Sequence, residues 1–353
     1  MVNIISKGSM LQASRQRSET RNIPYLFNGR IESIKRTVEG GQADQIQLDN
    51  LSGEMIVSTD IKRTLAQKTV LDVELGREEV PLLYNPIYEP MVDANFPRLL
   101  EAKWAQHGSV VFLEHLEGEE IKFGTLSAEN GPVARLTGYA GGFQWTKETE
   151  LFNEVYLIDI FNRAFGRAHN ILLNHIHLAP IAQFEYKPTH TTAAKYIKSD
   201  GSNGTAATAN LYLSTRETLK QGIIDARTKK RPGNILLANS ADQFQIEEAL
   251  KGADIMATNY RSISGIDTII YYDGDTETVG DTEYTFDGVK PGETFLIRPK
   301  RGFKELVKVP LRIEFGGGDI TRLIEDTMVG YTFRGVFAAV EENVQKIILP
   351  GKE

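Results

Sequence analysis

The longest regular hydrophobic pattern in the sequence runs from Trp145 to Leu178. Apolar residues recur there at steps of three and four, which places them on one face of a helix: Leu151, Val155, Ile158, Phe161, Phe165, Ala168 and Leu172. Thr146 is the predicted N-cap, Pro180 is expected to end the helix, and a bend is expected at Gly166. An uninterrupted helix of this length would span roughly 45 Å. Such a strut favours a structural building block over an enzyme pocket.

The chain before this helix has a shorter and more irregular pattern. Residues 1 to about 22 are polar and lack a hydrophobic period, so we expect a disordered arm there. The stretch from Ile23 to Gly76 predicts short strands separated by turns. A short helix is predicted from Arg98 to Gln106, where Gly108 would stop it.

A long antiparallel hairpin is predicted between residues 109 and 143. Val110–Leu113 and Val133–Tyr139 supply its two strands, and glycines, Pro132 and charged residues lie between them. A two-stranded arm is marginally stable by itself in water. We therefore expect it to lie on a neighbouring subunit, with folding back on its own domain as the alternative.

Helices and strands alternate between about residues 206 and 320, which predicts a compact α/β module. Two capping boxes, Ser214–Glu217 and Ser240–Gln243, predict helix starts. Apolar runs predict strands at Asn234–Ala238, Ile266–Tyr272, Thr294–Arg298 and Val309–Phe315. Residues 321–353 again have a strand pattern, and we expect them to rejoin the part of the chain that holds the long helix.

Composition narrows the function classes. The 353 residues suffice for one large or two modest domains, and a hydrophobic content of 41% is ordinary for a soluble protein. The formal net charge of −7 argues against a dedicated nucleic-acid binder, although not against a protein that encloses nucleic acid. The absence of cysteine excludes disulfides, thiolate metal sites and cysteine nucleophiles. No apolar run approaches the ~18 residues of a membrane span.

Candidate metal sites in the sequence are poor. His169, His175 and His177 lie at the end of the long helix, but the last two are two residues apart and would diverge on a helix. Favourable interaction with the helix C-terminal dipole explains them better. The segment Asp273–Glu277 resembles the start of a calcium loop, but the sixth position is Thr278 rather than glycine. An acidic turn between strands is the better interpretation.

Two further segments could suggest anion binding. Phe315–Asp319 places three glycines before a predicted short helix, Ile320–Glu325, but Asp319 would occupy the anion position and is better read as an N-cap. The basic run Arg227–Arg231 has no interleaved aromatic residue and is typical of a solvated helix end or a subunit contact. With no nucleophile or paired-carboxylate motif, we expect neither catalysis nor a metal or cofactor.

The order of parts resembles that of the major capsid proteins of tailed bacteriophages, which have the Hong Kong 97-type shell fold. Three segments carry the resemblance: residues 138–164, which look like the junction of an extended loop and a spine helix; 234–250, similar to a strand–helix unit of the axial domain; and 292–350, similar to the C-terminal run. Within the family, Mu-like head subunits are nearest. The resemblance covers roughly residues 80 to 353.

The resemblance implies an α+β phage major capsid fold with an N-terminal arm, an extended β-hairpin loop, a long spine helix and an α/β axial domain. The implied divisions are an arm with adjoining strands at 1–80, the first part of the peripheral domain at 81–108, the extended loop at 109–143, the spine helix region at 144–205, the axial domain at 206–320 and C-terminal peripheral strands at 321–353.

The resemblance also implies a function. Many copies would assemble as hexamers and pentamers into an icosahedral head that encloses double-stranded DNA, in the virion after assembly in the host cytoplasm. Partners would be further copies, a separate scaffolding protein, a portal and a decoration protein, without a membrane. Hypothetical assembly contacts are Glu117, Lys122, Phe123, Asn130, Arg135, Arg227, Lys229, Asp273 and Asp275. The alternatives are an encapsulin-like nanocompartment shell and an α/β enzyme or binding protein that uses residues 206–320.

Overall fold

A computed structural model describes residues 3–5, 19–27, 30–38, 58–101, 108–109, 125–126, 133–146, 155–251, 263–279, 282–317 and 324–351. These residues form helices and mixed sheets, which confirms the predicted α+β class. The described part of the chain contains two larger sheets, a pair of long helices, three shorter helices and three two-stranded sheets.

The first sheet, sheet A, has six strands. Their order across the sheet is β1 (Asn3–Ile5), β12 (Thr268–Tyr271), β11 (Ile235–Ala238), β15 (Glu293–Ile297), β18 (Val344–Ile348) and β10 (Thr191–Thr192). Alternate side chains of β11 enter two different cores: Ile235 and Leu237 join one, and Leu236 and Ala238 join the other. Both faces of sheet A are therefore covered, which explains why this strand reads as a continuous apolar run.

Helices cover the two faces of sheet A. On one face lie α3 (Leu211–Thr228) and α4 (Gln243–Lys251), whose Leu219 and Ile246 share a core with Leu236. The other core includes Leu173 and Leu178 of the long helix α2 (Val155–Ala182). The long helix is thus packed by its C-terminal half against sheet A.

The second sheet, sheet B, is built on two strands of 15 residues each, which corresponds to about 50 Å. Its order is β3 (Arg30–Val38), β2 (Glu19–Phe27), β16 (Phe303–Gly317), β17 (Ile324–Ala338) and β9 (Thr137–Thr146), and β4 (Glu89–Val92) also pairs with β16. The N-terminal half of α2 contributes Phe165 to the core of this sheet. The long helix therefore links both sheets.

A second long helix, α1 (Ser58–Glu79), crosses α2 at very short range. A Cβ atom built on Gly166 would lie 2.0 Å from the backbone oxygen of Val73, and one on Gly76 would lie 2.1 Å from the backbone oxygen of Arg163. Because the obstacle is backbone in both cases, only glycine fits at either position. Gly166 thus marks the crossing point of two helices, a role that the sequence pattern did not indicate.

The remaining described strands form three antiparallel pairs. They are β5 (Leu99–Glu101) with β8 (Val133–Arg135), β6 (Gly108–Ser109) with β7 (Thr125–Leu126), and β13 (Gly274–Val279) with β14 (Thr282–Asp287). A short helix, α5 (Val340–Asn343), precedes β18.

Several predictions for the first hundred residues are wrong. Strands β1 and β2 lie within or overlap the stretch expected to be disordered, and they gain order by pairing with β12 and β16. Helix α1 occupies a region predicted as strands and turns. Leu99–Glu101 is a strand rather than the start of a helix, because it pairs with β8. The predicted strand Val110–Leu113 lies outside the described residues.

The long helix exists but has different bounds. It begins at Val155 and ends at Ala182, so Pro180 lies inside its last turn rather than beyond it. Thr146 is the last residue of β9 and not an N-cap, because residues 137–146 pair with β17. Tertiary strand pairing overrode the helical period at this end.

The α/β module has the predicted alternation with shifted boundaries. Helix α3 begins at Leu211 and is capped by the Asn210 side chain, not by Ser214. Phe303–Gly317, which contains the predicted strand Val309–Phe315, lies in sheet B, whereas Val344–Ile348 lies in sheet A. Ile324 begins a strand, contrary to the predicted helix at this point, and Asp319 lies outside the described residues.

Candidate assembly surfaces

Large apolar side chains stay exposed on several separate elements. Phe244 on α4 is 80% exposed, Phe161 on α2 is 54% exposed and Ile224 on α3 is 55% exposed. Others are Ile31, Val92, Leu99, Ile160, Val329 and Phe333. Single exposed apolar residues are normal on a monomer, but exposed phenylalanines on several faces are typical of a chain that contacts several partners.

An exposed apolar surface lies where α2 meets sheet B. The ring of Phe161 stacks on that of Phe143 in β9 with 5.5 Å between centroids, yet half of it remains exposed. Phe165, one turn further on, lies over Gly141 and Gly330, and a Cβ atom built on Gly330 would lie 2.4 Å from its ring. Phe161 lies on the helix face that the sequence predicts to be apolar, but its contact with Phe143 leaves about half of the side chain exposed.

A buried polar cluster joins α2 to sheet B. The ring of His177 stacks on Tyr84 at 3.7 Å, and Tyr84 donates a hydrogen bond of 3.0 Å to Glu305 of β16. Arg334 of β17 forms an ion pair with the same carboxylate oxygen. Tyr88 donates to the backbone oxygen of His177 at 2.6 Å.

Burial keeps the imidazole of His177 in this cluster uncharged. Desolvation lowers the pKa of His177 to about 3, although the backbone oxygen of Leu173 accepts a hydrogen bond of 2.7 Å from its Nδ1. Burial lowers the pKa of His169 to about 3 as well. The proposed favourable interaction of charged histidines with the helix dipole is therefore wrong for both, since an imidazole without charge gains nothing from the dipole.

The cluster is a buried connection between α2 and sheet B. Its aromatic rings and its ion pair are buried, and none of its members lines the cleft described below. A buried ion pair that receives additional hydrogen bonds is stable only when both partners are present. Among the described residues, no group of three possible ligands could hold a metal ion.

An acidic hairpin projects from sheet A after β12. The segment 272–289 contains six carboxylates and no lysine or arginine. Along the β13–β14 pair, Thr276, Thr278, Glu283, Thr285 and Asp287 share the solvent face and are all exposed. On the opposite face, Phe286 packs against His175 of α2, with 5.2 Å between the ring centroids. The predicted acidic turn is thus a regular hairpin, fixed at its base.

A basic cleft of about 770 Å³ lies on another part of the chain. Five cationic side chains line it, namely Lys229, Lys230, Arg231, Arg298 and Arg301. Two carboxylates, those of Glu341 and Glu342, line it as well, so that five positive and two negative charges leave a net charge of +3. Hydrogen bonding and attraction by Lys187 hold the pKa of Glu341 below its usual range. The cleft therefore presents an excess of positive charge to solvent.

The structure separates the predicted contact residues into groups. Arg135 is exposed in β8, and Arg227 and Lys229 are exposed at the end of α3. Asp273 and Asp275 lie at the base of the acidic hairpin, where Asp273 accepts a 2.6 Å hydrogen bond from the backbone of Ser240. Four predicted contacts lie outside the described residues: Glu117, Lys122, Phe123 and Asn130.

Sequence reasoning missed two kinds of surface residue. Arg298 and Arg301 complete the basic cleft, but about 70 positions in the sequence separate them from the basic run Arg227–Arg231, which was the local signal for this site. Phe244 follows a predicted capping box, and no local pattern shows that it faces solvent. No helix in the described ranges is long and apolar enough to cross a membrane.

Comparison with known proteins gives structural matches only. No protein-family model and no curated protein matches the chain. The capsid of Myoviridae phage XM1 is 12% identical, with 76% of this chain and 92% of that chain covered at a TM-score of 0.48. The mature capsid of bacteriophage PhiM1 is 11% identical, with 75% and 86% covered at 0.48.

A third similar structure is a shell of another kind. The encapsulin complex of Synechococcus elongatus is 8% identical, with 77% of this chain and 89% of that chain covered at a TM-score of 0.44. The two phage capsids belong to the class that the sequence resemblance predicts. The TM-scores of all three structures lie below 0.5.

Proposed function

We propose that this chain is a shell subunit, the major capsid protein of a tailed phage, and that it acts by self-assembly rather than by catalysis. The observation that carries the proposal is the exposure of large apolar side chains on α2, α3, α4 and β17. An enzyme concentrates its exposed functional groups in one pocket. A shell subunit needs adhesive surfaces on several sides, because it has neighbours on several sides.

The two sheets suggest how the subunit would be divided into domains. Sheet A with α3 and α4 would form the axial domain around the centre of each capsomer. Sheet B with α1 and α2 would form the peripheral domain, and the strand pairs between Leu99 and Arg135 would be the base of the extended loop. Arg135, Arg227 and Lys229 are exposed and available for contacts between copies.

The proposed shell consists of hexamers and pentamers around double-stranded DNA. A chain with a net charge of −7 would avoid non-specific attachment to the DNA that it encloses, because phosphate contacts drive such binding. Scaffolding, portal and decoration proteins would be its partners, assembly would take place in the host cytoplasm, and the mature protein would be part of the virion.

Electron microscopy of the purified protein tests this proposal, alone and coexpressed with a scaffolding protein. Closed shells or rings are expected, and shells isolated from infected cells should contain nuclease-protected DNA. Shells that hold protein cargo instead of DNA would favour a nanocompartment. A protein that stays monomeric at high concentration, with and without scaffold, would contradict self-assembly. That result would favour the alternative in which the α/β module is a binding or enzyme domain.

A further inference from the structure

The acidic hairpin and the basic cleft lie at opposite ends of sheet A. β11 and β12 are parallel, with Ile235 beside Thr268. The hairpin follows the last residue of β12, whereas Lys229, Lys230 and Arg231 precede the first residue of β11. The two features are thus separated by at least the length of a four-residue strand, about 13 Å.

The antiparallel strands bring the rest of the cleft to the same end. Ile297, the last residue of β15, pairs with Ile235 and also with Val344, the first residue of β18. Arg298 and Arg301 therefore follow β15 at the end of the sheet where Lys230 lies. Helix α5, with Glu341 and Glu342, immediately precedes β18 at that same end.

The hairpin is held at its own end of the sheet. Asp273 accepts a hydrogen bond from the backbone of Ser240, and Phe286 packs on His175 of the long helix. Its solvent face nevertheless carries Glu283 and Asp287 without a neighbouring lysine or arginine in the segment. A subunit thus presents an anionic projection at one end and a cationic recess at the other.

We infer that the acidic hairpin of one copy docks into the basic cleft of the next copy. This inference rests on the proposed self-assembly and names one of its surfaces. Because the two complementary features lie at opposite ends of one sheet, the contact is heterologous, head to tail, and such contacts close into rings when the rotation between copies allows it. Charge complementarity would set the register of neighbours more than their affinity.

Charge reversal tests the inference on the full-length chain. The hairpin variant carries Glu283→Lys and Asp287→Lys, on the solvent face of the hairpin. The cleft variant carries Lys230→Glu and Arg301→Glu, at two exposed positions of the lining. In each variant alone, the assembled fraction measured by sedimentation and electron microscopy should fall at least roughly tenfold, because like charges would then face each other. Asp200→Lys, in an exposed turn outside both surfaces, is the control for an altered net charge.

Recombining the reversals gives the decisive result. A chain with all four substitutions should recover assembly, and a mixture of the two variants should form alternating rings with an even number of copies. If neither recombination assembles while the unmodified chain does, the inference is wrong and the proposed shell function stands. If only the cleft variant loses assembly, the cleft serves a different anion, such as DNA phosphate, and the inference is equally overturned.

Covalent trapping provides an independent test, since the chain has no cysteine. A variant with both Glu283→Cys and Lys230→Cys should form a ladder of disulfide-linked oligomers under oxidising conditions. A mixture of the two single-cysteine variants should stop at dimers, because each copy then contributes one half of one contact. Absence of the ladder in assembled particles would refute the hairpin–cleft contact.

Discussion

The crossing of α1 and α2 allows a quantitative test. Replacement of Gly166 by alanine would normally stabilise a helix by about 1 kcal/mol, because glycine has the greater conformational entropy to lose. Here the new Cβ would lie 2.0 Å from the backbone oxygen of Val73. Contacts below 3.0 Å are essentially not found, so the helices must separate by about 1 Å.

A separation of this size affects every contact along the crossing. Overpacking of a core typically costs 1–3 kcal/mol, and a gap of about 1 Å forfeits up to half of the dispersion energy of the atoms that lose contact. We therefore expect Gly166→Ala to lower the free energy of unfolding by about 1–2 kcal/mol, after the gain in helix propensity has been subtracted. Urea unfolding of the unassembled chain, followed by circular dichroism, measures this difference.

The control lies two residues further along the same helix. Ala168 is exposed, so that Ala168→Gly reports helix propensity without a change in the crossing and should cost about 1 kcal/mol. If Gly166→Ala instead stabilises the protein by about the amount that Ala168→Gly destabilises it, the close crossing is refuted.

Three further predictions follow from the cores. Arg334→Met leaves Glu305 buried without its charge partner and should lower the free energy of unfolding in urea by about 3–5 kcal/mol. The added substitution Glu305→Leu should restore much of this loss, and a double variant that recovers no stability would contradict the pairing. Because the folded-state pKa of His177 is lowered to about 3, its contribution to stability is complete above the unfolded-state pKa of about 6.5 and is lost as the pH falls below it. Stability should therefore drop by about 2 kcal/mol for this residue between pH 7 and 5, and His177→Gln should remove that part of the pH dependence. Phe165→Ala should cost about 3 kcal/mol and Phe161→Ala far less, since Phe165 packs against the core of sheet B whereas about half of Phe161 is exposed; equal losses in thermal unfolding would refute this difference.

Local patterns predicted much of sheet A and its helices. The apolar run Asn234–Ala238 corresponds to a strand covered on both faces, and the second capping box lies within one turn of the start of α4. Buried strands and capped helices have short-range signals, because their apolar faces and their terminal hydrogen bonds are encoded within a few residues. The negative charge of the hairpin and the positive charge of the basic run Arg227–Arg231 could also be read directly from the sequence.

Pairing between distant segments decided what those patterns missed. Trp145 and Thr146 lie within the stretch predicted as the long helix, but they belong to β9 because β17 supplies a ladder of hydrogen bonds beside them. Leu99–Glu101 is a strand for the same reason, with β8 as its partner. Intrinsic propensity is a weak preference that tertiary hydrogen bonding overrides.

The sequence by itself determined the α+β class, the long helix and the local charge of each surface segment. Only the tertiary structure decided that Phe161 is exposed, that His177 is neutral, and that Arg298 and Arg301 join Lys230 in one cleft at the far end of the sheet from the acidic hairpin. The reason is physical: hydrophobic period and charge are properties of neighbouring residues, whereas exposure, desolvation and the direction of a surface depend on which distant segments cover it.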